Sequence, residues 1–142
     1  MFFYRRTAQY HETDQMGVIH HANYVKWMEE ARVAFLDEVF HFGYVEMEAS
    51  GVFSPVVGVE LKYHRPVYFA DQVEIEVGIA SYTGTRLVLS YRMRNVTKGT
   101  DCTAATSTHC FLHDGKVVSL QTQLPELDEK LRALIKAAES AE

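Results

Sequence analysis

The sequence predicts one α+β domain, a long apolar helix followed by an antiparallel meander of strands. Three observations carry this. From about Ala22 to Phe40 there is no Gly or Pro, and Tyr24, Met28, Ala31, Phe35 and Val39 recur at steps of three and four. After Gly51 the period changes to two: Val57, Val59, Leu61 and Tyr63 alternate with polar or small residues. So do Val73, Ile75, Val77 and Ile79, then Leu87, Leu89, Tyr91 and Met93. Turn signals separate these runs, and consecutive strands with short connections pair antiparallel.

Taken in order, residues 2–9 read as a short, partly charged first strand. The loop after it is dense in chemistry, with Tyr10, His11, Glu12, Asp14, His20 and His21 falling within twelve residues. Trp27, Ala34 and Leu36 widen the apolar face of the helix, and Lys26, Glu29, Glu30 and Asp37 form a narrow polar strip. Such a helix is expected to be covered on most sides. Gly43 ends the helical region, and Tyr44–Ser50 is expected to form a short helix closing at Gly51. Pro66 stops the first alternating strand. Lys98-Gly99 reads as a turn, and Thr103–Leu112 is Thr-rich and β-prone. Asp114-Gly115 predicts a hairpin turn into a strand at Val117–Leu120. Pro125 opens a C-terminal helix to about Ala138, with Glu126 and Asp128 in its first turn. The alternation assigns one sheet face to the helix, and the sheet's open edges need a cover or a partner.

The 142 residues are enough for one domain that buries roughly 70% of its unfolded surface. A formal net charge of -5 argues against a nucleic-acid partner, which needs a basic face. The start MFFYRRTAQY does not read as a signal peptide. No run approaches the roughly 20 apolar residues of a membrane span. The expected compartment is the cytoplasm. Cys102 and Cys110 lie eight residues apart on one expected strand, roughly 26 Å if extended, which is beyond disulfide reach. Both are expected as free, packing thiols.

The loop carries the chemistry. Asp14, between a strand and a helix start, can move a proton or attack an acyl carbon; Asp-x-x-Gly is equally ordinary turn chemistry. His21 stands at the helix start, where a backbone N–H and the helix dipole favour a developing oxyanion; a solvated loop histidine is the alternative. His11 and His20 read as surface groups, and Tyr10 as a site or strand aromatic. Gly17 permits close approach or a positive φ before the helix. His11, Glu12, Asp14, His20 and His21 match no metal-ligand spacing. No metal is therefore expected, and without GxGxxG, P-loop or GxSxG patterns neither a nucleotide cradle nor a serine hydrolase is expected.

The ordered set Tyr10-x-x-x-Asp14-x-x-Gly17-Val18-x-x-His21-x-x-Tyr24 resembles the signature of hotdog-fold acyl-CoA thioesterases. It is most similar to the branch holding the 4-hydroxybenzoyl-CoA thioesterases and the short-chain acyl-CoA thioesterases associated with the Tol–Pal cell-envelope system. The resemblance runs through the helix and, more loosely, to Pro66-x-x-x-x-Asp71, covering most of the chain. It implies a sheet curled around the helix, homodimers or homotetramers with sites between subunits, and an acyl-CoA substrate. It implies Asp14 as the catalytic carboxylate, nucleophile or general base, with the His21 N–H polarising the carbonyl and Tyr10 nearby. Histidine rather than tyrosine at position 21 leans toward the short-chain members. Ser54 matches a small hydroxyl residue near the site. Tyr82-Thr83-Gly84-Thr85-Arg86 replaces an Arg-Arg-Lys cluster of the benzoyl members, leaving Arg86 as its one cation. The further candidates for the coenzyme's phosphates are Lys62, Arg65, Arg92, Arg94 and Lys98. The alternatives are a hotdog dehydratase or hydratase, whose Gly- and Pro-rich approach to the helix is absent, and a non-catalytic acyl-CoA-binding module, which could dispense with Asp14.

Overall fold

A computed structural model describes residues 1–141. Strand β1 (Phe2–Thr7) leads through a 3₁₀ turn at Tyr10–Glu12 to helix α1 (Asn23–Phe35), which widens into a π-helical turn at Leu36–Phe40. Helix α2 (Tyr44–Ala49) and strands β2 (Val52–Phe53), β3 (Val56–Tyr63), β4 (Gln72–Tyr82), β5 (Arg86–Asn95) and β6 (Thr100–Cys110) follow. The short strands β7 (Leu112–His113) and β8 (Lys116–Val117) and helices α3 (Leu120–Gln123) and α4 (Pro125–Ser140) complete the chain. Five strands form one sheet in the order β1-β4-β5-β6-β3, and β2-β7-β8 form a second. The expected α+β class is the observed one.

The chain divides into two compact units, each made of three stretches of sequence. The first holds Met1–Phe35, Glu60–Gly78 and Ser90–Thr106. In it β1 and β4 run antiparallel, Phe2 opposite Val77 and Thr7 opposite Gln72. The alternation of β4 buries Val73, Ile75 and Val77, and α1 buries Tyr24, Trp27, Met28, Ala31 and Phe35, the three-and-four spacing expected of it. The Phe2 and Phe35 rings meet at 5.6 Å between centroids. Burying each such large side chain contributes about 1.5–3 kcal/mol. Arg32 is buried on the same helix, where its Nη1 donates to the Tyr91 hydroxyl at 3.3 Å.

The second unit holds Leu36–Val59, Ile79–Leu89 and the residues from Ser107 onward. The π-helical turn ends where His41 takes φ 54, a conformation no helix continues through. Lys130 Nζ of α4 donates to the Phe40 carbonyl there at 2.9 Å. A Cβ on Gly43 would lie 1.8 Å from Asp37 Oδ1, so a glycine lets that carboxylate rest against the backbone. On α4, Asp128 accepts from the Tyr82 hydroxyl at 2.5 Å and from Arg132 Nε at 3.1 Å. Asp114 and Gly115 both have positive φ, 51 and 75, the hairpin turn their sequence predicts.

Four expectations are corrected. The helix expected to run to Phe40 keeps α-geometry only to Phe35. The simple meander fails at β3, which lies beside β6 rather than β4; residues 64–71, with Pro66 and a positive φ at Ala70, are too long a link for a tight hairpin. As the last strand of its sheet, β3 leaves Val57, Val59 and Tyr63 at 54%, 38% and 49% exposure, not in the core. The strand expected over Val117–Leu120 stops at Val117, because Ser119 Oγ accepts from the Gln121 N–H and starts α3.

Candidate active site

The loop between β1 and α1 folds back on itself as a small hairpin. Thr13 and Ile19 form an antiparallel bridge, and the Asp14 N–H donates to Val18 O at 2.8 Å. Asp14 stands at the tip of this hairpin. Its carbonyl accepts from the Gly17 N–H at 3.0 Å, and its Oδ1 accepts from the Met16 N–H at 2.8 Å. Gly17 takes φ 84, so glycine is there for its left-handed backbone. Asp14 therefore does serve its turn, but with one carboxylate oxygen; Oδ2 carries no hydrogen bond among the described residues.

The base of the hairpin is Glu12. Its carbonyl accepts from the His20 N–H at 2.9 Å and from Asn23 Nδ2 at 2.7 Å, joining the returning strand and the start of α1. Its carboxylate is buried. Oε1 accepts from Arg6 Nη1 at 2.7 Å and the Gln9 N–H at 2.8 Å, and Oε2 from Trp27 Nε1 at 2.7 Å. Arg6 also lies over the Trp27 ring at 4.6 Å and pairs with Glu30 at 3.0 Å. Burial pushes the Glu12 pKa up, but the hydrogen bonds from Arg6, Trp27 and Gln9 outweigh it and hold the carboxyl below its ordinary value. A lowered native pKa adds stability above the ordinary carboxylate range, and that stability is lost as the pH falls through the native value.

At the start of α1, His20 Nδ1 accepts from the Ala22 N–H at 3.1 Å, and the His20 and His21 rings stack at 4.3 Å. The His21 N–H has no acceptor among the described residues. The His21 carbonyl accepts from the Tyr63 hydroxyl at 2.9 Å. Asp14 and His21 line one cavity of about 330 Å³ with Met16, Val18, Tyr63 and Arg65 among their neighbours. Tyr24 also lines it; burial pushes its hydroxyl pKa well up, so it stays protonated.

Of the other expected site residues, Tyr10, Gly17, Ser54 and Arg86 are not among those lining that cavity. Tyr10 is 75% exposed, with its ring edge-on to Phe69 at 5.4 Å. Ser54 follows β2 and Arg86 begins β5, both in the second unit. Of the six cations considered for phosphates, Arg65 is the one on the cavity wall. Sequence reasoning passed over Tyr63, read as a core strand residue, and over Glu12, weighed only as a metal ligand. Tyr63 meets His21 only across 42 positions, and Glu12, though Arg6 and Gln9 lie near it in sequence, meets Trp27 only across 15, so neither role is complete in any local stretch. Burial pushes the Cys102 thiol up to about 11, and its Sγ lies 3.2 Å from Met93 O, which fits packing and not a nucleophile.

The sequence profile described as "Thioesterase-like superfamily" matches residues 8–135, nearly the whole chain. The chain belongs to the thioesterase-like superfamily. This thioester hydrolase is 39% identical over 102 residues to the Bacillus subtilis protein YneP, provisionally named an acyl-CoA thioesterase, a match covering 72% of each chain. It is 36% identical over 86 residues to the acyl-CoA thioester hydrolase YbgC of Escherichia coli, covering 61% of this chain and 63% of that one. The DHNA-CoA thioesterase structure from Staphylococcus aureus superposes with a TM-score of 0.93 at 27% identity, covering 99% of this thioesterase and 94% of that chain. The hotdog fold and the acyl-CoA thioesterase branch expected from the loop signature are those of its relatives, YbgC among them.

Proposed function

We propose that this thioesterase hydrolyses an acyl-CoA thioester to a free acid and coenzyme A without a cofactor. The observation that carries the reading is that a carboxylate residue, Asp14, and His21, two residues before α1 and with an unengaged N–H, line one cavity. Asp14 activates water or attacks the acyl carbon, and the His21 N–H takes the charge that builds on the carbonyl oxygen. Tyr10 and the His21 ring orient the carboxylate or relay its proton. Arg65, on the cavity wall, supplies a cation for the substrate's anionic groups; Gly17, Ser54 and Arg86 are assigned to the substrate by the resemblance alone. Free thiols at Cys102 and Cys110 suit a reducing cytoplasm.

A panel of acyl-CoA thioesters, read by release of free thiol, tests this. Turnover is expected, with aliphatic acyl groups exceeding 4-hydroxybenzoyl-CoA in kcat/KM. Binding without thiol release would make the chain a binding module, and a higher kcat/KM for the aromatic thioester would overturn the substrate class.

The same reading includes a dimer or tetramer. Strand β3, last in its sheet, exposes Val56, Val57, Val59 and Tyr63 on an unpaired edge, which natural proteins cover or pair. Analytical ultracentrifugation is expected to show at least a dimer at micromolar concentration; a stable 16.2 kDa monomer would sink the assembly.

A further inference from the structure

We propose that Glu12 is a positioning residue for catalysis, holding Asp14 and the His21 N–H in register through the two ends of the loop hairpin. The proposal rests on Asp14 and His21 acting as described above.

Three elements meet at this one side chain and nowhere else in the loop. Arg6 belongs to β1, Gln9 caps the 3₁₀ turn that holds Glu12 and Trp27 lies in the second turn of α1, and all three donate to the Glu12 carboxylate. The main chain of Glu12 does the matching work on the loop. Its carbonyl receives His20, the residue before His21, and Asn23, the first residue of α1. Asp14 follows two residues later, across the Thr13–Ile19 bridge. A shift of Glu12 therefore moves the Asp14 tip and the His21 N–H together relative to α1. Both groups must stand within a fraction of an ångström of a reacting carbonyl to act on it. A buried ion pair is poor evidence of stability for its own sake, since apolar residues can replace one without loss. Its use here is geometric: one carboxylate with two oxygens fixes three donors in a single arrangement.

Glu12→Gln keeps the shape but turns an NH₂ group toward one of the donors, Trp27 Nε1 or the Arg6 and Gln9 side. The expected result is a kcat lower by roughly ten- to hundred-fold at a temperature where circular dichroism shows the protein fully folded. The Kd of a non-hydrolysable thioether analogue of the best panel substrate, measured by calorimetry, should stay within about twofold. Trp27→Phe, which removes one donor and keeps an aromatic core residue, should move kcat the same way by a smaller factor, and it carries the test if Glu12→Gln does not fold. In an Asp14→Asn background, either change should lower kcat by clearly less than it does alone, because one of the two groups it positions is already gone. A wild-type kcat in the folded variants, or a full multiplicative loss on top of Asp14→Asn, would overturn the proposal and leave Glu12 a structural residue. Wild-type turnover by Asp14→Asn would instead overturn the catalytic reading on which the proposal stands, so the two failures are distinguishable.

Discussion

Asp14→Asn protein is expected to fold normally and to lose roughly 10²- to 10⁴-fold in kcat, the usual weight of a positioned acid–base group, or more if Asp14 is a nucleophile. The substitution separates the residue's two tasks cleanly. An asparagine side-chain oxygen can still accept the Met16 N–H, and the main-chain bonds to Val18 and Gly17 do not depend on the side chain. The turn survives, with stability expected to shift by less than about 1 kcal/mol. What is lost is the negative charge and proton affinity of the second oxygen. An interaction made only in the transition state lowers kcat and kcat/KM alike, so KM should move little. Near-wild-type turnover by the folded variant would mean that Asp14 is a turn residue and nothing more.

The largest effect on stability is expected at Trp27. This side chain is fully buried, packs against Tyr24 at 4.9 Å between centroids, lies under Arg6 and donates to Glu12. Trp27→Ala removes the packing, about 3–5 kcal/mol for a large aromatic in a core. It also leaves the Glu12 carboxylate one donor short, about 1–3 kcal/mol more. Against a total stability of about 5–15 kcal/mol, such a loss unfolds a large share of the protein. Denaturant unfolding followed by far-ultraviolet circular dichroism checks this, and a loss below about 2 kcal/mol would show that the indole is not the anchor described here.

Much of this was legible in the residue pattern because period and punctuation are local. The buried set of α1 follows its three-and-four spacing, β4 and β5 bury the alternating residues, and Asp114-Gly115 makes the turn its composition demands. Strand order is another matter. Val57, Val59 and Tyr63 alternate as well as any strand in the chain, yet β3 is an edge, because its neighbour is chosen by a connection whose path no period encodes. The site divides the same way. Asp14, Gly17 and His21 stand at spacings a reader can see, whereas Glu12 looked like one more acidic loop residue. Only folding brings Arg6 and Trp27 to it and turns a surface-type residue into a buried one.

Trp27 is the sole tryptophan in the chain. Its indole therefore makes the protein's intrinsic emission a local gauge and not an average over the fold. The fluorophore sits where β1, the hairpin base and α1 are tied together, against a guanidinium and a carboxylate. Light emitted by this protein reports first on whether that knot is closed. A spectral change that precedes the loss of helical signal marks the loop coming loose while the sheet still stands. One that follows ligand addition registers the hairpin base beside the site, without a label.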